Sequence, residues 1–146
     1  MKQVVEFKTE YKDEILKFVN LGIVLCKHPS FNLSNEIGIF VGGNKILKSD
    51  YKFYISLDTK KVPTGAICVD KEGEVLLFAV EKSNFNDSTN QLLGKCDELL
   101  AAKKFSKISA RANPKYILSF NDKGYKTIKF FENESSEFKF LVQKDK

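Results

Sequence analysis

Hydrophobic and polar positions follow two different periods along the chain, and these periods predict both strands and helices. In residues 51–57, apolar side chains occupy every second position, which is typical of a strand with one apolar face. Residues 75–80 are apolar without interruption, a pattern that indicates a strand covered on both faces. We therefore expect the second of these strands to lie at the centre of a sheet, with helices on each side.

Apolar residues at helical spacing predict two longer helices. The first covers residues 11–19, where four apolar side chains fall on one face. The second runs from Thr89 to about Lys104, and its apolar stripe consists of Leu92, Leu93, Cys96, Leu99 and Leu100. Ser88 and Gln91 have the spacing of a capping box, which predicts that this helix begins directly after Ser88.

The remaining segments complete a series of strands and helices. Between residues 21 and 49, glycines and Pro29 divide the apolar pieces, and we expect one or two short helices there. A third clear helix is predicted after Pro114, and Gly124 is its stop signal. The predicted order is β-α-(α)-β-β-β-α-β-α-β-β, which one α/β (α+β) domain over residues 1–146 accounts for.

Composition narrows the class of protein. With 146 residues, 42% of them hydrophobic and 29% charged, the chain has the composition of one soluble folded domain. Its longest apolar run, residues 21–26, is too short to cross a membrane. Cys26, Cys68 and Cys96 stand in apolar surroundings and are expected to be buried thiols of a cytoplasmic protein. A single histidine, His28, predicts that no metal is bound.

The charge of the chain limits its partners. The net charge is +5, and Arg111 is the only arginine among 24 basic residues. Arginine is the usual reader of guanine edges, so we expect no sequence-specific binding of nucleic acid. Non-specific binding of nucleic acid through lysines remains an alternative that rests on the charge alone.

The order of elements resembles that of the GNAT superfamily of acyl-CoA-dependent N-acyltransferases. The stretches that carry the resemblance are Gly65-Ala66-Ile67, residues 74–80, Asn113 and Asp122-Lys123-Gly124-Tyr125. The resemblance implies a mixed, mainly antiparallel sheet flanked by helices on both faces. It also implies acetyl-CoA as the acyl donor, a small-molecule or protein amine as the acceptor, and neither a metal nor a membrane; a homodimer is compatible with it.

The resemblance also implies where acetyl-CoA would lie. The expected binding residues are Phe78, Ala79 and Val80 on the central strand, Asn86, Ser88, Thr89 and Asn90 around the pyrophosphate, and Asn113 and Phe120 further along the chain. The family's pyrophosphate loop has Gln or Arg, two residues, Gly, one residue, and then Gly or Ala. Phe85, Ser88 and Asn90 stand at those three positions here, so the signature itself is absent.

The resemblance gives two candidate catalytic residues. Glu74 matches the family's general base, and its structural alternative is a polar residue that closes the turn after Gly73. Phe120 stands where the family has a tyrosine acid, and Tyr116 lies one helical turn earlier, where it either replaces that acid or packs. His28 is expected in an exposed loop or in acceptor binding, and residues 31–40 fall at the family's acceptor-binding lid.

Besides nucleic-acid binding through lysines, which would need a different α+β fold, two functions remain open from the sequence. The first is acetyl transfer from acetyl-CoA to an amine by an N-acyltransferase whose pyrophosphate loop has degenerated. The second is a non-catalytic binding or regulatory module with the same fold, because Phe85 and Phe120 replace two groups that the chemistry uses.

Overall fold

A computed structural model describes residues 3–29, 51–132 and 137–146 of the chain. Its strands are β1 (Gln3–Glu6), β2 (Ile23–Lys27), β3 (Lys52–Leu57), β4 (Pro63–Val69), β5 (Glu74–Val80), β6 (Lys107–Ala112), β7 (Lys126–Phe130) and β8 (Phe140–Asp145). Its helices are α1 (Lys12–Leu21), α2 (Phe85–Ala101) and α3 (Ile117–Asn121), and a short 3₁₀ turn precedes each of them. None of the helices in these ranges is long and apolar enough to span a membrane.

The described strands form one sheet in the order β1-β3-β4-β5-β2-β6-β8-β7. Neighbouring strands are antiparallel, except that the first two residues of β5 also make a short parallel contact with the middle of β6. This architecture confirms the predicted mixed, mainly antiparallel sheet. It also confirms the central place of residues 75–80, since every residue of β5 after Glu74 is buried.

Helices cover both faces of the sheet, as predicted. One core cluster joins Ile15 of α1 to side chains of β3, β4 and β5. The other joins α2, through residues such as Leu92 and Cys96, to the opposite face. Because α2 covers that face, Tyr54 and Ser56 of β3 are buried as well. The prediction of a single apolar face for this strand is therefore wrong, since its polar positions also pack beneath a helix.

Helix α2 begins four residues earlier than the capping-box spacing predicts. It starts at Phe85, directly after the 3₁₀ turn Lys82–Asn84, and the N-cap residue Asn84 makes no side-chain capping bond. The Ser88 hydroxyl donates instead to Thr64 Oγ1, at 2.8 Å. The predicted capping box is therefore wrong, because the Ser88 hydroxyl that would have accepted from a helix N–H is bonded to Thr64 of β4.

Residues 23–27 form strand β2, where the sequence predicted helix. Helix α1 ends at Leu21, and the Gly22 N–H still donates to the Phe18 carbonyl, at 2.9 Å. A Cβ at Gly22 would collide with the Val80 carbonyl oxygen and lie 2.6 Å from the Phe18 carbonyl oxygen. Glycine thus lets the chain leave α1 beside the end of β5 and enter the sheet at once. The second helix and the lid predicted for residues 31–40 lie outside the described residues.

Candidate functional site

Strands β5 and β6 separate soon after they meet. Their parallel contact consists of the pairs Glu74–Ser109 and Val75–Ala110, and beyond these pairs the strands diverge. We call the gap between the diverging parts of β5 and β6 the notch. It is the place beside the central strand where the resemblance puts the thioester end of acetyl-CoA.

Strand β2 occupies the notch. It pairs antiparallel with β5 through Ile23–Val80, Val24–Ala79, Cys26–Phe78 and Lys27–Leu77. On its other edge it pairs with β6 at Cys26–Ala112, and the Asn113 N–H donates to the Leu25 carbonyl, at 2.9 Å. The side chains of Leu25 and Cys26 are 0% exposed. The notch is therefore filled by the chain's own backbone and side chains.

The three residues predicted to hold the thioester lie along this filled edge. Phe78, Ala79 and Val80 are fully buried, and each is paired with β4 on one side and with β2 on the other. Their backbone groups on the notch side face a strand partner. In this arrangement the predicted thioester site has no room for a ligand.

Three of the predicted pyrophosphate residues line a cleft beyond the end of the notch. Asn86, Thr89 and Asn90 of α2 face the end of α3 across a cleft of about 250 Å³, whose other lining residues are Phe85, Ser119, Asp122 and Lys123. The Thr89 side chain is 97% buried, and its hydroxyl has no hydrogen-bond partner among the described residues. Because the hydroxyl oxygen is itself buried, a ligand oxygen in the cleft could accept from it only after a small movement of the cleft wall.

The cleft differs from a glycine-rich phosphate loop in its backbone. Thr89 and Asn90 lie in the second turn of α2, so their N–H groups belong to the helix ladder rather than to a loop. The preceding 3₁₀ turn already engages the Asn84 and Phe85 N–H groups. An anion at this helix end is therefore favoured by the positive end of the helix dipole rather than by a loop of N–H groups.

The other predicted cofactor residues lie elsewhere. Ser88 points into the protein, where its hydroxyl, Thr64 and Ser56 form a buried chain of hydrogen bonds between α2, β4 and β3. The Asn113 side chain accepts from the Lys115 N–H, at 2.9 Å, and caps the 3₁₀ turn before α3. Phe120 is a core side chain in edge-on contact with Phe78. In this arrangement none of these three side chains faces the cleft.

Glu74 lies at the head of β5 and faces a histidine. His28 Nε2 is 3.2 Å from Glu74 Oε1, with 21% of the histidine side chain and 30% of the glutamate side chain exposed. His28 directly follows β2, and its N–H donates to the Leu76 carbonyl, at 3.0 Å. A carboxylate and an imidazole in contact form a pair in which either group can take a proton from a substrate. The sequence placed His28 in a loop, because the strand that brings it to Glu74 was not predicted.

Tyr116, the other predicted catalytic residue, packs against Phe85. The two ring centroids are 5.5 Å apart, where the 3₁₀ turn before α3 contacts the beginning of α2. Val80 lies six positions after Glu74 along β5, about 20 Å at roughly 3.3 Å per residue. Tyr116 and Glu74 are thus attached to opposite ends of the notch.

The buried thiols are not set up for nucleophilic chemistry. Cys26 of β2 and Cys96 of α2 are fully enclosed, and burial raises the pKa of the Cys96 thiol to about 12. Burial also raises the pKa of Cys26 well above its usual range. Within residues 3–29, 51–132 and 137–146, no three His, Cys, Asp or Glu side chains converge to hold a metal ion.

Comparison with solved structures identifies the architecture. The chain is similar to a GNAT-family acetyltransferase from Staphylococcus aureus Mu50, with a TM-score of 0.64, 14% identity, and 99% of each chain covered. It is similar to a mutant of the spermidine N-acetyltransferase SpeG from Vibrio cholerae, with a TM-score of 0.69, 11% identity, and 97% and 91% of the two chains covered. A third similar structure is ribosomal-protein-S5-alanine acetyltransferase from Vibrio fischeri, with a TM-score of 0.67, 12% identity, and 99% and 92% covered.

The chain has the GNAT fold. No protein-family model and no curated protein sequence matches it, so the likeness lies in the structure rather than in the residues. On this fold, the cleft between α2 and α3 fits the phosphate end of an acyl-CoA, because the polar residues Thr89 and Asn90 and the cation Lys123 line it. The notch does not fit the thioester end while β2 lies in it.

Proposed function

We propose that this GNAT-fold domain is an acyl-CoA-dependent N-acyltransferase that transfers an acetyl group to an amine. The observation that carries the proposal is the cleft at the beginning of α2, with the buried and unpaired hydroxyl of Thr89 in its wall. The fold supports the same conclusion, since three solved acetyltransferases cover 97–99% of the chain.

The cleft offers an anion several donors that do not depend on a glycine loop. The beginning of a 17-residue helix carries the positive end of its dipole, which favours a phosphate. The same space is lined by Asn86, Thr89, Asn90 and Lys123, whose side chains carry two amides, a hydroxyl and an ammonium group. Asp122 also lines it and opposes a negative ligand by about 1–4 kcal/mol, depending on the local dielectric.

Glu74 is the base that we propose for the acceptor amine. His28 contacts its carboxylate and adds a second group able to take or hold a proton at this end of β5. Phe120 has no proton to give, and the Tyr116 ring packs on Phe85, so we assign no acid. Acetyl-CoA supplies a thiolate leaving group, which departs without being protonated by this chain.

The proposal also covers partners and location. The acceptor is an amine, either a small molecule or a protein, and a homodimer is compatible with the fold. Three buried free thiols support a reducing compartment, which we propose is the cytoplasm. Arg111 lies over the Phe131 ring, at 4.1 Å from its centroid, and supports the expectation that no nucleic-acid sequence is read.

The binding step is tested by titrating the protein with acetyl-CoA in a calorimeter. In Thr89→Val, which keeps the side-chain shape and removes the hydroxyl, we expect the affinity to fall roughly 10- to 150-fold, because a hydrogen bond to a charged group contributes about 1.5–3 kcal/mol. Thr127→Val on the exposed strand β7 makes the same chemical change away from the cleft and should leave the affinity unchanged.

The chemical step is tested by CoA release with a panel of amines. Glu74→Gln should lower kcat by at least about 100-fold, the usual loss for a removed general base. Glu72→Gln, in the exposed turn two residues earlier, is the matched control. Absence of both acetyl-CoA binding at millimolar concentration and CoA release with every amine would rule out the proposal.

A non-catalytic GNAT-fold binding module is the second candidate, and the position of β2 favours it. A notch closed by backbone pairing on both edges leaves no place for a thioester. Under this alternative acetyl-CoA should not bind even to a variant in which β2 is loosened. Turnover that depends on Glu74 would exclude it.

A further inference from the structure

We propose that β2 is a displaceable strand that closes the acyl-CoA notch, and that binding of acyl-CoA requires its release. The inference rests on the proposed function and adds a form of regulation to the same site. Its starting point is that the fold has the site for a ligand, but this chain's own residues 23–27 lie in it.

Strand β2 and the arm of an acyl-CoA would use the same partners. The arm between the phosphates and the thioester is an extended chain with amide groups, and an extended peptide satisfies the same backbone donors and acceptors on a strand edge. In the closed form β2 takes the edge of β5 from Leu77 to Val80. One extended chain occupies that edge at a time, so occupation by β2 and by acyl-CoA is mutually exclusive.

Strand β5 is paired with β4 on one edge and with β2 on the other, and the pairing with β2 is the weaker. On the first edge, β4 and β5 form five pairs, from Gly65–Val80 to Val69–Val75, with one irregularity between Cys68 and Val69. Strand β2 is five residues long, has an irregularity between Val24 and Cys26, and meets β6 at a single pair within the described ranges. Both pairings have one irregularity, so the difference lies in length. The shorter strand and its smaller number of pairs favour local opening of β2 while β4 and β5 stay together.

The phosphate cleft lies outside the region that β2 covers. The pair Ile23–Val80 is at the end of β5, and the chain then passes through residues 81–84 to α2, where the cleft begins. The phosphate end of an acyl-CoA can therefore bind in the cleft first. The rest of the molecule enters the notch when β2 detaches from β5, and detachment begins at Ile23, the residue nearest the cleft. Its apparent affinity is reduced by the fraction of molecules in which β2 is closed.

Gly22 gives a way to loosen β2 without altering the notch walls. A Cβ at this position would collide with the carbonyl oxygens of Val80 and Phe18, which are backbone atoms and cannot rotate away. Gly22→Ala should therefore disfavour the closed form. The matched control is Gly94→Ala in α2, where a Cβ would meet no atom within 4 Å.

The experiment measures iodoacetamide labelling of each cysteine by peptide mass spectrometry under native conditions. Cys26 reports on β2, and Cys68 of β4 reports on opening of the full sheet. We expect Cys26 to react faster than Cys68 and to react faster still when acetyl-CoA is added. Gly22→Ala should raise the affinity for acetyl-CoA at least about tenfold, in proportion to the open fraction, and Gly94→Ala should not.

Two results would overturn the inference, and they are distinguishable. If acetyl-CoA binds while Cys26 and Cys68 react at the same rate with and without it, β2 is not released and only this inference fails. If neither the wild-type protein nor Gly22→Ala binds acetyl-CoA, the proposed function fails and the inference fails with it. Because the labelling of the wild-type protein needs no variant, poor folding of Gly22→Ala does not remove the test.

Discussion

The two edges of strand β5 are held in very different ways. On one edge, the seven-residue strand β4 forms five pairs with it, with one irregularity between Cys68 and Val69, and a buried chain of hydroxyls links β3, β4 and α2. On the other edge, a five-residue strand with an irregular register stands between β5 and β6. The first edge belongs to the continuous part of the sheet, and the second contains the place where the resemblance puts the acyl-CoA. The chain therefore retains the sheet of the fold, while its own strand β2 lies in the notch between β5 and β6.

The largest loss of stability is expected from a substitution on the β4 edge. Ile67→Ala removes a fully buried side chain and should lower the free energy of unfolding by about 2–5 kcal/mol, measured by urea denaturation. Labelling of Cys26 and Cys68 should rise together, because loss of this edge opens the whole sheet. Faster labelling of Cys26 alone would contradict the comparison.

Leu25→Ala makes the equivalent change on the β2 edge. Leu25 is also fully buried, but we expect a smaller loss of global stability, because β2 opens before the sheet does. Labelling of Cys26 should increase at least about tenfold relative to Cys68, since each 1.4 kcal/mol changes an opening equilibrium tenfold. Equal increases at both cysteines would show that the two edges open as one unit.

Thr64→Val tests the buried hydroxyl chain. The substitution keeps the shape of the side chain and leaves Ser56 and Ser88 without their common partner. We expect the free energy of unfolding to fall by about 1–3 kcal/mol, the cost of leaving a buried polar group unsatisfied. Denaturation should show that Thr127→Val, at an exposed position on β7, changes stability by less than this.

Glu74→Gln should have the smallest effect on stability. Its carboxylate faces His28 at 3.2 Å, but both side chains are partly exposed, and such pairs contribute about 0–1 kcal/mol. The same substitution should nevertheless abolish most CoA release. A large loss of stability together with normal turnover would assign Glu74 a structural role.

The sequence predicted correctly those elements whose structure follows from the hydrophobic pattern of their own residues. An unbroken apolar run placed β5 at the centre of the sheet, and Gly124, with a φ of +90°, stands at the turn that follows α3. It was less informative at the beginning of α2. There the hydroxyl of Ser88 had two available partners, and the distant Thr64 took it instead of a helix N–H.

Strand β2 could not be predicted from its own residues. Ile23 and Val24 suit a strand, but residues 21–26 form a single apolar run, which does not separate a strand from a buried helix. What makes it a strand is the gap between β5 and β6, which arises from residues far along the chain. The pairing of His28 with Glu74 was missed for the same reason, because it follows from the position of β2.

The occupation of the notch by β2 is tested most directly by nuclear Overhauser effects in the ligand-free, isotope-labelled 16.6 kDa protein. Antiparallel pairing predicts cross-strand effects between backbone protons of Ile23 and Val80 and of Val24 and Ala79, together with those between β4 and β5. If the β4–β5 effects are present and those from Ile23 and Val24 to β5 are missing, the notch is open in solution and the account is contradicted.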